Sequence, residues 1–400
     1  MSLFNFNKKK EKISLLIEIR GDVVSSSIIK THTQNKPEVL YLKKRTVSIR
    51  EKVDSKKYTE TMMKELDKLI DETYKVGILK ALDKGDEISD IHIVLSSPWL
   101  LSQSKDIKIK KDKVFEINQD LLSKIIGSEE CDLSFLEKGN VRKDDVNNNI
   151  KIIEEKIVQA KLNGYKVNSI IHKKVNSLEL NIFISVSNYF FIEDIKKIIG
   201  KTFIKKPIFF HSFVLLGFST IRDIMPDNND FIFIEIGAEV TDVCFINDDA
   251  VYKTYTYPSG KNEIIRKVAK DTGNTYDSVL ALLKMQCNGK CDEKVIEKNE
   301  KAFSKSISEW SDGLYKIFTS LTSRGSIPKD IFLFIDDELV HLIGQKIKEN
   351  KLNDFSMINN DFNINFINDN KLNSFINKEN FLKNDSTLKI CTVFLNKLKK

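Results

Sequence analysis

Four hundred residues, 41% hydrophobic and 30% charged, suffice for two or more domains with sizeable cores and exclude disorder as the default state. The net charge of +7 arises from lysines interleaved with nearly as many acids, so the chain does not read as a nucleic-acid binder. Five cysteines, Cys131, Cys244, Cys287, Cys291 and Cys391, are odd in number, lack framework spacing and fit reduced thiols in a cytoplasm.

In chain order, the opening MSLFNFNKKK does not read as a secretory leader, because its lysines follow a short apolar patch instead of preceding a long one. It reads either as a solvated terminus or as an interfacial anchor, with Leu3, Phe4 and Phe6 in a membrane surface and lysines on headgroups. Lys12 to Ser97 reads as a first lobe. Leu16-Ile17-Glu18-Ile19 forms a strand, Arg20-Gly21-Asp22 a turn, and Val23 to Ile29 and Glu38 to Leu42 two further strands. Ser55 to Leu82 is predicted as one long helix, with Tyr58, Met62, Leu66, Leu69, Thr73 and Val76 on its apolar side. Ile91 to Leu95 is a buried strand, and its His92, with no acid or cysteine nearby in sequence, reads as a core histidine.

From Trp99 to Gly200 the pattern changes to that of an inserted α+β module. The expected elements are a strand at Asp106 to Ile109, a helix Asn118 to Ile126 closed by Gly127, strands at Ile150 to Leu162 and Leu178 to Val186, and a helix Asn188 to Ile199 closed by Gly200. Lys206 to Ile224 should return as a strand and a helix. Its most apolar part, Pro207 to Ile221, is broken by His211 and Ser212 and is too short to span a bilayer. Ser212 is expected to cap the helix and His211 to be buried.

Phe231 to Ile236 is a strand rich in β-branched and aromatic residues, with Glu235 one residue before its end. A turn at Gly237-Ala238-Glu239 leads to a strand Val240 to Ile246 carrying Thr241 and Asp242. A turn at Asn247-Asp248-Asp249 then leads to a strand Ala250 to Tyr257, which stops at Pro258-Ser259-Gly260 where a helix begins. Gly237 lets backbone amides approach an anion closely. Asn262 to Thr322 reads as all helix, its last member carrying a core stripe of Phe303, Ile307, Trp310, Leu314, Ile317 and Leu321. Cys287 and Cys291, without a second pair or a nearby histidine, make a poor zinc site. Ile331 to Ile335 is a buried strand followed by Asp336-Asp337-Glu338. Glu349 to Asn384 reads as short edge strands in long loops, and Leu388 to Leu398 as a closing helix.

Strand, acidic residue, turn and strand thus occur twice, at Leu16 to Ile29 and at Ile234 to Ile246, which suggests a duplicated domain with a cleft between the copies. Phe231 to Gly260 resembles the second phosphate hairpin of the actin-like ATPase superfamily. It is most similar to the FtsA and PilM type, in which Asp-Ile-Gly-Ala/Gly-x-Thr-Thr-Asp leads through two strands to a glycine and a helix. The resemblance implies an α/β, actin-like (ribonuclease H-like) duplicated two-lobe fold. It places a first lobe at 12–97 plus 201–225, an inserted partner-binding subdomain at 98–200, and a second lobe at 226–400 with a helical insertion at 262–324. ATP with Mg²⁺ would lie near Glu18, Gly21, Glu235, Gly237, Ala238, Glu239, Thr241, Gly260, Lys284 and Asp336, the metal held through water by Glu18 and Glu235.

The sequence also departs from that pattern. Arg20 stands where the first turn wants glycine, so its side chain would enter phosphate space or bind a phosphate itself. Ala281 stands where the family's Ala-Glu-x-x-Lys motif, ending here at Lys284, has glutamate, and Asp336-Asp337-Glu338 replaces the adenosine Gly-Gly pair. Phosphoryl transfer depends on positioning and charge stabilisation, so these losses imply weakened or lost hydrolysis. The expectation is a cytoplasmic scaffold on the inner membrane face, for pilus assembly or cell division. It would bind a peptide or cytoplasmic tail of a membrane assembly protein, and itself in filaments. The alternatives are a working Mg-ATPase that switches such an assembly, and a sugar or acid kinase needing Asp22 or Asp90 as base.

Overall fold

The computed structural model describes residues 11–47, 55–130, 149–287, 293–322, 327–335, 362–366, 372–377 and 385–398. Three sheets organise them. The first is ordered β3-β2-β1-β4-β9, from β1 (Glu11–Ile19), β2 (Val23–His32), β3 (Glu38–Thr46), β4 (Asp90–Leu95) and β9 (Ile208–Ser212). The second is ordered β12-β11-β10-β13-β14, from β10 (Phe231–Ile236), β11 (Thr241–Asn247), β12 (Ala250–Tyr257), β13 (Asp330–Phe334) and β14 (Asn363–Phe366). In each, the first three strands in sequence form an antiparallel meander and the last two join in parallel. The two sheets therefore share one topology, as the duplicated hairpins predict.

Helices fill the space between and outside these sheets. α1 (Ser55–Glu72) passes through a π-helical turn at Thr73–Gly77 into the short α2 (Ile78–Ala81), not through one continuous helix. The break has a packing cause. A Cβ on Gly77 would lie 2.7 Å from the Tyr41 ring, and the Thr73 hydroxyl donates to the Leu69 carbonyl at 2.8 Å. The extra residue turns the helix face, so Val76, expected inside, is exposed.

The third sheet is ordered β5-β8-β6-β7 and is antiparallel throughout, from β5 (Leu101–Glu116), β6 (Ile150–Leu162), β7 (Tyr165–Lys166) and β8 (Lys174–Asn188). β5 is far longer than the expected Asp106 to Ile109, because its N-terminal half pairs with β8 as well. α3 (Gln119–Glu130) continues through Gly127, and α4 (Tyr189–Thr202) through Gly200. A glycine costs a helix about 1 kcal/mol relative to alanine and ends it only when tertiary packing agrees.

α5 (Phe213–Ile224) and α9 (Ser386–Lys397) lie between the first two sheets. Their side chains share one core with Leu16, Ile29 and Val94 of the first sheet and Phe231, Phe233, Phe332 and Phe334 of the second. The outer face of the first sheet packs on α1 and α4. That of the second packs on α6 (Lys261–Thr272), α7 (Tyr276–Cys287) and α8 (Glu293–Thr322). Phe303, Ile307, Trp310 and Leu314 of the predicted α8 stripe are all buried there. Ser212 caps α5 by accepting from the Leu215 N–H, and Asp385 caps α9 through the Leu388 N–H. Among the described residues, no helix is long and apolar enough to cross a membrane.

Candidate functional site: a sealed hairpin cleft and an open pocket

Each of the two related sheets ends its central hairpin in a turn, and these turns meet. A Cβ added to Gly21 would stand 2.8 Å from the Ala238 Cβ and 3.1 Å from the Tyr58 hydroxyl, closer than side-chain carbons approach. Only glycine fits there. The second turn is closed by the Gly237 N–H donating to the Val240 carbonyl at 2.9 Å. Its own carbonyls then take the first amides of α6: Lys261 N–H donates to Gly237 O at 2.9 Å and Asn262 N–H to Ala238 O at 2.8 Å. Gly260 makes this approach feasible, since a Cβ on it would lie 2.4 Å from Gly237 O. The helix N-terminus, a ready anion site elsewhere, is occupied here by the chain's own backbone.

Charged groups complete the closure. Lys261 Nζ lies 2.6 Å from Asp22 Oδ2, both side chains largely buried, and joins the first turn to the second half of the chain. Glu239 accepts from both Arg266 guanidinium nitrogens at 3.0 and 2.7 Å and from the Asn262 amide at 2.8 Å, while the Tyr276 hydroxyl donates to Asn262 Oδ1 at 2.7 Å. Thr241 faces inward. Its hydroxyl donates to Ser259 O at 2.7 Å and accepts from Trp310 Nε1 at 3.1 Å.

The two acids expected to hold a metal are both buried. Glu18 accepts from the Ser25 hydroxyl and, at 3.5 Å, from the Cys391 thiol of α9. Burial pushes its carboxyl up, and neighbouring Asp385 pushes it further. Glu235 sits in β10 in register with Asp242 of β11. Burial pushes Asp242 up to about 6 against hydrogen bonds from Ser97 and Thr256. Among the described residues, no group of three or more His, Cys, Asp and Glu side chains is arranged to hold a metal ion.

Arg20 does not enter the space between the turns, as expected from sequence; its guanidinium donates to the Thr387 hydroxyl of α9 at 2.9 Å. Lys284 lies on α7, with only its helix described, and Asp336 lies outside the described residues, as do Cys131, Cys291 and the N-terminal ten residues. Between the hairpins, turn touches turn, the Lys261 cation has a carboxylate, and the first α6 amides have carbonyls. The cavity between β4 and β11, lined by Ser97, Asp242 and Thr256, is only about 10 Å³.

Among the described residues, a larger space lies between the first lobe and the inserted sheet. A pocket of about 740 Å³ runs between the start of α1, the end of β8 and the start of α4. Its walls are mainly apolar: Tyr58, Trp99, Leu100, Ile150, Phe190 and Phe191. The Trp99 and Phe191 rings stack at 4.6 Å and 5°, and the Tyr58 ring lies 4.7 Å from Trp99. Phe190 is 60% exposed, whereas Lys56, Glu60 and Asp194 give the pocket charged groups. Two of the walls also hold the first turn: Trp99 Nε1 donates to Arg20 O at 2.9 Å and the Tyr58 hydroxyl to Gly21 O. Sequence reasoning missed this pocket. The signals available were an aromatic run at Tyr189-Phe190-Phe191 opening a helix and a tryptophan directly after Ser96-Ser97-Pro98.

The third sheet contacts both of the others. Lys161 and Lys166 reach Asp248 at 2.8 and 2.7 Å, and Lys166 also reaches Asp249 at 3.0 Å. These two aspartates form the tight β11–β12 turn, with φ of 53° and 62°. Thr254 of β12 donates to Ser102 O at 2.5 Å, and the Asn181 amide to Val251 O at 3.1 Å. On the other side, Glu154 of β6 accepts from the Ser212 amide at 3.0 Å and its hydroxyl at 2.9 Å.

This duplicated sheet order, with two helices between the sheets and a third sheet inserted after β4, defines an actin-like ATPase fold. Among solved structures, one described as the PilM-PilN type IV pilus biogenesis complex is similar with a TM-score of 0.61 and 10% identity, over 96% of this chain and 98% of that one. A Bacteroides thetaiotaomicron protein described as having an actin-like ATPase fold and unknown function gives 0.42 at 9% identity, covering 98% of this chain and 99% of its own. The ethanolamine utilization protein EutJ from Carboxydothermus hydrogenoformans gives 0.40 at 9%, covering 83% and 82%. Identities this low speak to fold alone. No family model and no curated protein sequence matches the chain.

Proposed function

We propose that this chain is an actin-like scaffold whose work is to hold a partner peptide, and that it has given up ATP hydrolysis. The observation that carries this reading is the contrast between the two sites: the hairpin cleft is filled by the chain's own groups, while an apolar pocket of about 740 Å³ stands open beside it. Stacked Trp99 and Phe191 suit a bulky apolar anchor of an extended segment, and Lys56, Glu60 and Asp194 suit its polar flanks. Bracing of the third sheet against both other sheets favours a rigid holder over a cycling enzyme, because lobe motion would break contacts at Asp248 and Glu154 together.

The similar solved structure is described as a complex of PilM with PilN in type IV pilus biogenesis. By that analogy of fold the partner is the cytoplasmic tail of a membrane assembly protein. The chain then works in the cytoplasm at the inner membrane face, in pilus assembly in preference to cell division. Self-association belongs to the same reading as a secondary role of the inserted sheet.

Fluorescence tests the pocket directly, since Trp99 lines it while Trp310 is buried in the second core. Synthetic peptides covering the cytoplasmic tails of the cell's own membrane assembly proteins are titrated into the full chain. One of them should saturate a Trp99 signal that Trp310→Phe retains and Trp99→Phe removes. Failure of every tail peptide to bind would end the adaptor reading.

A further inference from the structure

The C-terminal ends of α1 and α4 come together at one end of the first sheet, away from the hairpins and the pocket. The strand register identifies that end. β1, β4 and β9 run parallel, with Ser14 beside Asp90 and Ile91 beside Ile208, so the starts of all three strands share one edge. α2 leads into β4 through 82–89 and α4 leads into β9 through 203–207, so both helical segments finish at this edge. Tyr74, in the π turn after α1, meets Phe203, just past α4, edge to face with ring centroids 5.8 Å apart. The opposite ends of the same two helices line the aromatic pocket. α1, 18 residues long, keeps the pocket and this end about 27 Å apart.

Apolar side chains turn outward here. Leu79 is 82% exposed, Ile204 68% and Tyr74 50%, with Val76 turned out by the π turn beside Leu79. Single exposed apolar residues are ordinary on a protein surface, but four on segments joined by a ring contact form a patch. Lysines surround it. Lys80, Lys84 and Lys205 are exposed. Lys75, Lys201 and Lys206 pair with Asp71, Asp67 and Glu87 at 2.8, 3.2 and 3.0 Å, surface pairs that can be given up to another anion at little cost. Asp83 and Asp86, exposed in the loop before β4, are the opposing acids. The sequence entering β1 at this same edge adds Lys8-Lys9-Lys10 and, before them, Leu3, Phe4 and Phe6. Helix C-termini favour lysine on their own account, yet they give no reason for bare leucine and isoleucine.

We propose that this end of the first lobe, with Leu79, Ile204 and Tyr74 inserted and Lys80 and Lys205 on headgroup phosphates, docks on an anionic lipid surface. Side chains as exposed as Leu79 and Ile204 project from the protein instead of lining a groove, and a projecting aliphatic tip enters a fluid acyl boundary without a shaped partner surface. Tyr74 suits the headgroup level, its ring apolar and its hydroxyl wet. Lysine stems lie along apolar surface while their ammonium groups reach the phosphates. The N-terminal Leu3, Phe4 and Phe6 supply a second insertion, and two weak anchors together hold where either alone is marginal. Docked in this way, the chain turns its aromatic pocket away from the bilayer, at the far ends of α1 and α4.

Sedimentation of the full chain with vesicles tests this, and because no peptide is present the result is independent of the tail-peptide reading. The protein should pellet with phosphatidylglycerol vesicles at low salt, stay in solution with phosphatidylcholine vesicles, and detach from the former as salt screens the lysines. Leu79→Ser/Ile204→Ser should weaken partitioning about tenfold through lost insertion, and Lys80→Glu/Lys205→Glu about tenfold or more through reversed charge. Both pairs are exposed, so their urea midpoints should match the wild type, which separates lost docking from lost folding. Deleting residues 2–10 should weaken binding and leave a phosphatidylglycerol-dependent remainder. No pelleting with phosphatidylglycerol would overturn the proposal. So would wild-type partitioning by either double variant, or loss of all binding on the deletion, since each places the contact somewhere other than this folded surface.

Discussion

The hairpin cleft and the aromatic pocket are built from neighbouring atoms and have opposite characters. Around Gly21, Ala238 and Lys261 the turns are in contact, Lys261 is paired with Asp22, and the first α6 amides are taken by the Gly237 and Ala238 carbonyls. A short step away, across the hydrogen bonds from Tyr58 and Trp99 to the first turn, the apolar surface of Phe190 remains uncovered. One framework can thus hold one region closed while another stays open. Substitutions in the sealed region should therefore cost stability, and substitutions in the open one should cost binding.

The largest effect is expected at Trp310, which fills the second core and donates to Thr241 behind the second hairpin. Trp310→Ala should lose about 3–5 kcal/mol in urea unfolding, from the cavity and the lost hydrogen bond to Thr241 together. Lys261→Met comes next, since it leaves Asp22 without its ammonium partner in a largely buried site. A loss of about 3 kcal/mol is expected, with much of it recovered in the double variant Asp22→Leu/Lys261→Met. If Lys261→Met instead gained a nucleotide response at unchanged stability, the ion pair would not be sealing the cleft.

Asp242 sharpens the contrast through pH. Its folded value of about 6 lies above the ordinary 3.8, so the folded state resists its ionisation and stability falls as pH climbs from about 4 to 6, with no further loss above. Asp242→Asn, neutral throughout, should be more stable than wild type by about 3 kcal/mol at pH 8, a gap that shrinks to about 1 kcal/mol at pH 4.5. Equal midpoints at pH 8 would mean that Asp242 ionises freely. The smallest change in stability is expected at Phe190, where Phe190→Ser should shift unfolding by less than about 0.5 kcal/mol while weakening tail-peptide binding tenfold or more. A matching loss of stability would make Phe190 a packing residue and blur the distinction between the two regions.

Much of the framework was legible because local signals and tertiary demands agree. Phe231 to Ile236 is β-branched and aromatic, bounded by a glycine turn, and it is the central strand of its sheet. The α8 stripe and the Ser212 cap likewise needed only periodicity and a hydroxyl at the right place. The π-turn at Thr73 was not legible, because its cause is Tyr41 on another strand. Nor was the sealing of the cleft. Glu18, Gly21, Glu239 and Thr241 look like ligand contacts in a one-dimensional reading, and only in three dimensions do Ser25, Ala238, Arg266 and Trp310 appear beside them. The pocket escaped for the same reason, its walls coming from stretches as separate as Tyr58, Trp99, Ile150 and Phe191.

Equilibrium titration of the full chain with Mg-ATP, followed by heat and by phosphate release, tests most directly whether the cleft is closed. With Gly21 against Ala238 and Lys261 held by Asp22, no saturable binding should appear up to millimolar nucleotide and no phosphate should be released. Micromolar binding accompanied by turnover would contradict the account and restore this chain to the working ATPases.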